Sequence, residues 1–250
     1  MIILDYDSDF EDKFYNSDYG KIFYKYHKGE SNSLNIVFIH GLGASTMSWK
    51  ITMDYIDPKY NLYLVDLLGH GRSDAPHIDY TVRLQVDILN SFFNYLKIIP
   101  VIVGNSYGGW VAALYASSGF PLNGLVLEDS AGLQEIYSKL SEEEIKKAKD
   151  QDYENVMRFA GNHDYVIRSI INDESNMRYT LNKENLSKIN VPSLIIWGDK
   201  DETLPIEYAN IFHNLIKGSV LKIIKDSMHI PHFQQPKEFT DDLEEFLESL

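Results

Sequence analysis

Gly104-Asn105-Ser106-Tyr107-Gly108 joins two segments of opposite character. Before it, Pro100-Val101-Ile102-Val103 is β-branched and apolar, the composition of a strand buried on both faces of a parallel sheet. After it, Gly109-Trp110-Val111-Ala112-Ala113-Leu114-Tyr115-Ala116 is rich in helix formers and runs out near Gly119 and Pro121, a stop signal. A GxSxG sequence between a strand and a helix sets Ser106 where the strand stops. The flanking glycines are expected to let the backbone turn sharply and to leave space for a protruding hydroxyl. Gly and Ser are also ordinary turn residues, so these positions alone equally describe a turn without chemistry. The rest of the chain has to decide between them.

A chain of 250 residues, 44% hydrophobic, is long enough for one large core or for one core with an insertion. With no cysteine, disulfides and thiolate metal sites are excluded. Lys and Arg number 23 against 37 Asp and Glu, and the resulting net charge of −14 repels polyanions, so nucleic acid is not an expected partner. Met1-Ile2-Ile3-Leu4-Asp5 turns acidic before it reaches signal-peptide length, and no apolar run could span a bilayer. A soluble, cytoplasmic protein without membrane insertion is expected; oligomeric state has no readable signature. Asp5, Asp7, Asp9, Glu11, Asp12 and Asp18 alternate with Tyr6, Phe10, Phe14, Tyr15 and Tyr19, the pattern of an edge hairpin with solvated acidic faces.

Elements alternate along the chain. Apolar runs at Lys21 to Lys28, Asn35 to Ile39, Asn61 to Val65, Gly124 to Leu127, Ser193 to Trp197 and Val220 to Ile224 read as strands, the first antiparallel and the others buried. Helical patterns occupy Thr46 to Ile56, Thr81 to Lys97, the segment after Ser106, Pro205 to Ile216 and Pro236 to Leu250. Such alternation implies right-handed crossovers and an α/β fold with a mostly parallel sheet covered on both faces, its functional groups at the carboxyl ends of the strands. Between Ala131 and Ile189 the alternation stops, and polar helical material such as Ser141-Glu142-Glu143-Glu144-Ile145 replaces the next strand. Residues 131–189 are therefore expected to be a helical cap inserted into a core of residues 1–130 and 190–250. Tyr137, Tyr153, Met157, Phe159, Tyr165, Ile167 and Met177 are its apolar members. They either face the site as a lid or fasten the cap to the body.

Further segments fall at strand ends: His40-Gly41-Leu42-Gly43, Asp66-Leu67-Leu68-Gly69-His70-Gly71-Arg72-Ser73, Trp197-Gly198-Asp199-Lys200-Asp201 and Met228-His229-Ile230-Pro231. Together with Gly104 to Gly108, and in this order, they resemble the α/β-hydrolase superfamily over nearly the whole chain, in its capped branch of esterases, lactonases and carbon–carbon bond hydrolases. The resemblance implies a Ser-His-Asp triad. Ser106 would be the nucleophile, and His229 the base that takes its proton and later returns it to the leaving group. His232 competes by proximity, but the family histidine precedes an x-Pro, as His229 does. The family more often has Gly where Met228 stands. Three carboxylates compete for the acid: Asp201 matches the family's WGxxD pattern, Asp199 is expected to support that loop, and Asp129 after the preceding strand is the rival.

By the same resemblance, the backbone N–H groups of Leu42 and Tyr107 would form the oxyanion hole, with Gly41 and Gly43 letting the Leu42 loop bend close. Asp66 is expected to hold backbone amides, and His40 and His70 to be architectural. His27, His77, His163 and His213 have no patterned partner. No metal-ligand spacing is present, so no metal and no cofactor is expected. The implied activity is cleavage of small-molecule carboxylic esters through an acyl-enzyme. The alternatives are carbon–carbon cleavage of ring-fission products, since relatives with that activity often read Gly-Asn-Ser-x-Gly-Gly as Gly104 to Gly109 does, lactone or thioester hydrolysis, and a ligand-binding protein that keeps the fold without the chemistry.

Overall fold

In the computed structural model, which describes residues 3–133, 138–158 and 161–250, eight strands form one sheet. They are β1 (Glu11–Ser17), β2 (Gly20–His27), β3 (Asn35–Ile39), β4 (Asn61–Val65), β5 (Val101–Asn105), β6 (Gly124–Glu128), β7 (Ser193–Gly198) and β8 (Val220–Ile224), in the spatial order β1-β2-β4-β3-β5-β6-β7-β8. β1 pairs antiparallel with β2, and β2 antiparallel with β4; every other pairing is parallel. The helices are α1 (Lys50–Met53), α2 (Val82–Leu96), α3 (Tyr107–Ser117), α4 (Glu142–Met157), α5 (Asp164–Ser175), α6 (Lys183–Leu186), α7 (Glu207–Leu215), α8 (Pro231–Gln234) and α9 (Pro236–Glu248).

Successive side chains of a strand point to opposite faces, and here the two sets enter two different cores. Val37, Ile39, Ile102, Leu125, Leu127 and Ile195 pack with α2, α3 and α7 through Val86, Phe92, Val111 and Phe212. Their neighbours Ile36, Phe38, Val103, Val126, Leu194 and Ile196 pack with Trp49, Met53, Phe239 and Leu243 on the other side. This two-sided burial is why the central strands carry unbroken apolar runs. Leu4, Tyr6 and Phe10 belong to the second core, so these members of the N-terminal stretch are structural, while Phe14 and Tyr19 are exposed. Its acidic members do more than face solvent: Asp12 meets Lys25 and Arg72, and Asp7 meets Lys50.

Two expectations need correction. The segment from Thr46 to Ile56 is not one helix but a 3₁₀ turn, Thr46–Trp49, capped by Ser45 and followed by the four-residue α1. Nor is β8 buried: as the last strand of the sheet it leaves Val220 and Ile223 exposed, and Lys222 reaches out to Asp242 and Glu245 of α9. Between β6 and β7 the chain forms α4, α5 and α6 in place of a strand. Ser141 and Glu144 close a capping box at the start of α4. None of the described helices is long and apolar enough to cross a membrane.

Candidate active site

Ser106 sits between β5 and α3 with φ +53° and ψ −115°, a region that residues with a Cβ rarely enter. The turn is held from several sides: the Ser106 N–H donates to Glu128 O at 3.0 Å, and its carbonyl accepts from Trp110 N at 3.1 Å and Ala131 N at 3.0 Å. The flanking glycines make room for the turn, as expected, without supplying its unusual dihedrals. Gly104 and Gly108 have ordinary φ, and their role is close approach: a Cβ on Gly108 would lie 2.4 Å from Ile39 O, and one on Gly104 the same distance from Gly108 O. The serine itself carries the strain.

His229 and Asp201 converge on Ser106 from loops beyond β8 and β7. His229 Nε2 lies 2.9 Å from Ser106 Oγ, and His229 Nδ1 lies 2.8 Å from Asp201 Oδ2. Because a carboxylate only accepts, Nδ1 carries the hydrogen and Nε2 is left free to accept from the serine hydroxyl. The second Asp201 oxygen, Oδ1, accepts from the N–H groups of Thr203 (2.8 Å) and Leu204 (3.0 Å). Burial acts to raise the Asp201 carboxyl, but the hydrogen bond and charge of His229, with Asp129 and the Leu204 N–H, outweigh it and hold the group below its usual 3.8. The Asp201 side chain is fully buried while that of His229 remains 22% exposed, so the imidazole opens toward solvent. Loop support thus comes from Asp201; Asp199, expected to provide it, is exposed.

The Leu42 loop lies against the serine: a Cβ on Gly41 would stand 3.3 Å from Ser106 Cβ and 3.0 Å from Asn105 Oδ1. Gly43 has φ +72°, which bends the loop. Tyr107 is the first residue of α3, so its N–H has no intrahelical acceptor and the helix start is favourable to negative charge. Among the described residues, neither the Leu42 nor the Tyr107 N–H has a protein acceptor.

Asp66 behaves as expected, accepting from Thr46 N at 2.6 Å and Arg72 N at 2.7 Å. So does His40, whose Nε2 accepts from the Leu67 N–H at 3.1 Å while Nδ1 donates to Gly41 O at 2.7 Å. Burial lowers His40 to about 4, and burial with the nearby His40 lowers His70 to about 3, so both rings are neutral.

His232, the rival base, is buried elsewhere. Its ring lies 2.7 Å from Glu128 Oε2, and its N–H donates to Glu128 Oε1 at 2.7 Å, which pins α8 to the end of β6 just past His229. Gln234 Oε1 accepts from Met228 N at 2.7 Å, and Asn105 Nδ2 donates to His229 O at 3.2 Å. Met228 is tolerated because its side chain is exposed. Neither Glu128 nor Asn105 was singled out from the sequence for this role. A buried acid at the end of an otherwise apolar strand was the available signal for Glu128.

Helix α4 and the segment before α5 meet the Leu42 loop through residues that periodicity did not mark. Asn162 Nδ2 donates to Gly43 O at 2.8 Å, and a Cβ on Gly43 would come within 2.3 Å of Val156 Cγ1. Of the residues proposed as lid members, Tyr137 and Phe159 lie outside the described residues. Tyr165 bonds Ala75 O and stacks on His77, and Ile167 is buried, both as fasteners. Tyr153 bonds Asp164 under the Arg168 guanidinium. A cleft of about 870 Å³ between α4, α5 and residues 77–79 includes none of Ser106, Asp201 or His229 and is a separate feature.

Asp129, Asp201 and His229 offer donor atoms within 4.8 Å of one another, the spacing of a cation site. Within this cluster His229 Nδ1 and Asp201 Oδ2 are already hydrogen-bonded to each other, so the set reads as a proton network. A serine hydroxyl on a neutral imidazole, an anchored carboxylate and two free N–H groups can together transfer an acyl group.

Sheet order, the sharp turn at Ser106 and this arrangement define a hydrolase of the α/β type. Residues 36–242 match the alpha/beta hydrolase family, and the chain belongs to it. It is 24% identical over 269 residues to a monoacylglycerol lipase of Mus musculus, covering 91% of this chain and 79% of that protein. It is 26% identical over 254 residues to 2-hydroxy-6-oxo-6-(2'-aminophenyl)hexa-2,4-dienoic acid hydrolase of Metapseudomonas resinovorans, covering 85% and 83%. A thermophilic esterase from Thermogutta terrifontis superposes with a TM-score of 0.80 at 19% identity, over 96% of this chain and 98% of that one.

Proposed function

We propose that the chain is a serine hydrolase of small carboxylic esters, with Ser106 as nucleophile, His229 as general base and acid, and Asp201 as its partner. The reading rests on the unbroken hydrogen-bond chain from Ser106 Oγ through both ring nitrogens of His229 to Asp201. Ser106 Oγ attacks the ester carbonyl as its proton passes to His229 Nε2, and the resulting oxyanion is met by the N–H groups of Leu42 and Tyr107. The imidazolium returns that proton to the departing alkoxide, leaving an acyl-serine. Water then gives its proton to His229 and attacks the acyl carbon, and collapse releases the acid and restores the Ser106 hydroxyl. Helices α4 to α6 act as a cap over this centre, with Val156 and Asn162 as its contacts to the oxyanion loop.

Ser106→Ala should lower kcat on a short-chain aryl ester by at least about 10³-fold. A fluorophosphonate should add one adduct to the wild-type protein, read by intact mass, and none to the variant. Unchanged turnover in the variant would discard the mechanism. A second reading, hydrolysis of a carbon–carbon bond in a vinylogous diketo acid, is favoured by Gly104-Asn105-Ser106-Tyr107-Gly108-Gly109 and by the ring-fission hydrolase among the relatives. Assaying such a diketo acid beside simple esters decides between the two.

A further inference from the structure

Asp129 directly follows β6 with φ +40°, and it is completely buried beside the pair formed by Asp201 and His229. One oxygen, Oδ1, accepts from the Gly198 N–H at 3.1 Å. The other, Oδ2, is buried and has no partner if both aspartates are taken as ionised. An ionised carboxylate left that way in a dry site is strongly disfavoured, and a second anion within 4.8 Å makes it worse.

One proton shared by the two acids removes both difficulties, and the surroundings decide where it resides. Asp201 already accepts from His229 and from the N–H groups of Thr203 and Leu204, all of which favour its charged form. Asp129 has the Gly198 N–H alone. The other charged groups nearby do not help it: Glu128, its neighbour on β6, is an acid engaged with His232 of α8, and Lys200 on the β7 loop is exposed and paired with Asp226.

We propose that Asp129 is a neutral carboxylic acid that donates its Oδ2 hydrogen to the Asp201 carboxylate, and so acts as a positioning residue behind the Ser106, His229 and Asp201 chain. Burial first, then the charges of Glu128 and Asp201, push its carboxyl well above 3.8, in the same direction. With that donor in place the Asp201 carboxylate is held from the His229 side, from its own loop and from β6. It cannot rotate away as the imidazole gains and loses its proton. The proposal deepens the hydrolase reading and rests on it for its kinetic consequence only.

The test has a spectroscopic and a kinetic arm. In Ser106→Ala protein at neutral pH, infrared difference spectroscopy against Ser106→Ala/Asp129→Asn should reveal the carbonyl stretch of a protonated carboxyl, lost in the double variant. That band does not depend on turnover, so it survives failure of the hydrolase reading, whereas its absence overturns the proposal. Kinetically, Asp129→Leu should lower kcat about 10- to 100-fold with KM little changed, and Asp129→Asn, whose amide can donate to Asp201 and accept from Gly198, should recover most of the loss. The acid limb of the Asp129→Asn pH profile should stay at the wild-type position. A shift of that limb to lower pH would mean that an anion had been removed beside His229, and would overturn the proposal. Activity abolished by a chelator and restored by a divalent cation would overturn it too, by making the cluster a metal site. Should Asp129→Leu fail to fold, the infrared band and the Asp129→Asn profile still decide.

Discussion

Asn105 precedes Ser106 in the chain, yet its side-chain amide holds the carbonyl of a histidine 124 residues further on. One asparagine therefore couples the Ser106 turn to the His229 loop. Asn105→Ala should free the His229 loop and lower kcat by about 10-fold while KM changes little, as expected when an interaction orients a reacting group; steady-state kinetics on an aryl ester checks this, and an unchanged kcat would show that the other ties suffice. Gly108→Ala should act on stability, because its methyl would press into the Ile39 carbonyl oxygen. A loss of about 1–3 kcal/mol, read from the urea midpoint, is expected. At this scale Ser106, Asp201 and His229 were legible because each sits in a recognisable local pattern at a strand end. Asn105 and Glu128 were not, and Asp129 was marked only as the rival acid. What they do depends on which distant backbone each one meets, and no spacing along the chain encodes that.

Strand positions were legible to the residue at 35–39, 61–65 and 220–224, since short apolar runs bounded by turn residues leave little choice of ends. What the pattern could not say was which strand would be an edge, so β8 looked buried in sequence and is not. In residues 131–189 the open choice was between facing the site and fastening to the body, and Tyr165 and Ile167 fasten. Tyr153, Tyr165 and Ile167 are apolar members of helical segments, but apolar character does not identify the body that covers each one. The residue of α4 that reaches Gly43 is Val156. Val156→Ala should widen the space above Gly43 and raise kcat/KM for longer acyl chains relative to acetate by about 10-fold, measured on a graded series of aryl esters. The same ratio in variant and wild type would place the acyl chain elsewhere.

Across the whole molecule, buried protons set how stability responds to acid. His40 and His70 are neutral in the fold, with values of about 4 and 3 against 6.5 for a free ring. The unfolded chain binds those protons first as pH falls, so this contribution is complete above 6.5 and is lost progressively below it. Asp129 works in the opposite sense, since its raised carboxyl keeps a proton that the unfolded chain releases above 3.8. The histidine part can be isolated by difference: the stability gap between wild type and His70→Gln should shrink by about 1.4 kcal/mol per pH unit below 6.5, measured by urea unfolding. A gap independent of pH would mean that the ring is charged in the native protein. The hydrogen bond from Asn162 to the carbonyl of Gly43 has its own consequence at this scale. On the proposed reading, in which residues 131–189 roof the site and the Leu42 loop steadies the reacting oxygen, whatever lifts the one must tug the other out of shape. In that proposal, admitting a guest and transforming it become successive acts of a single latch.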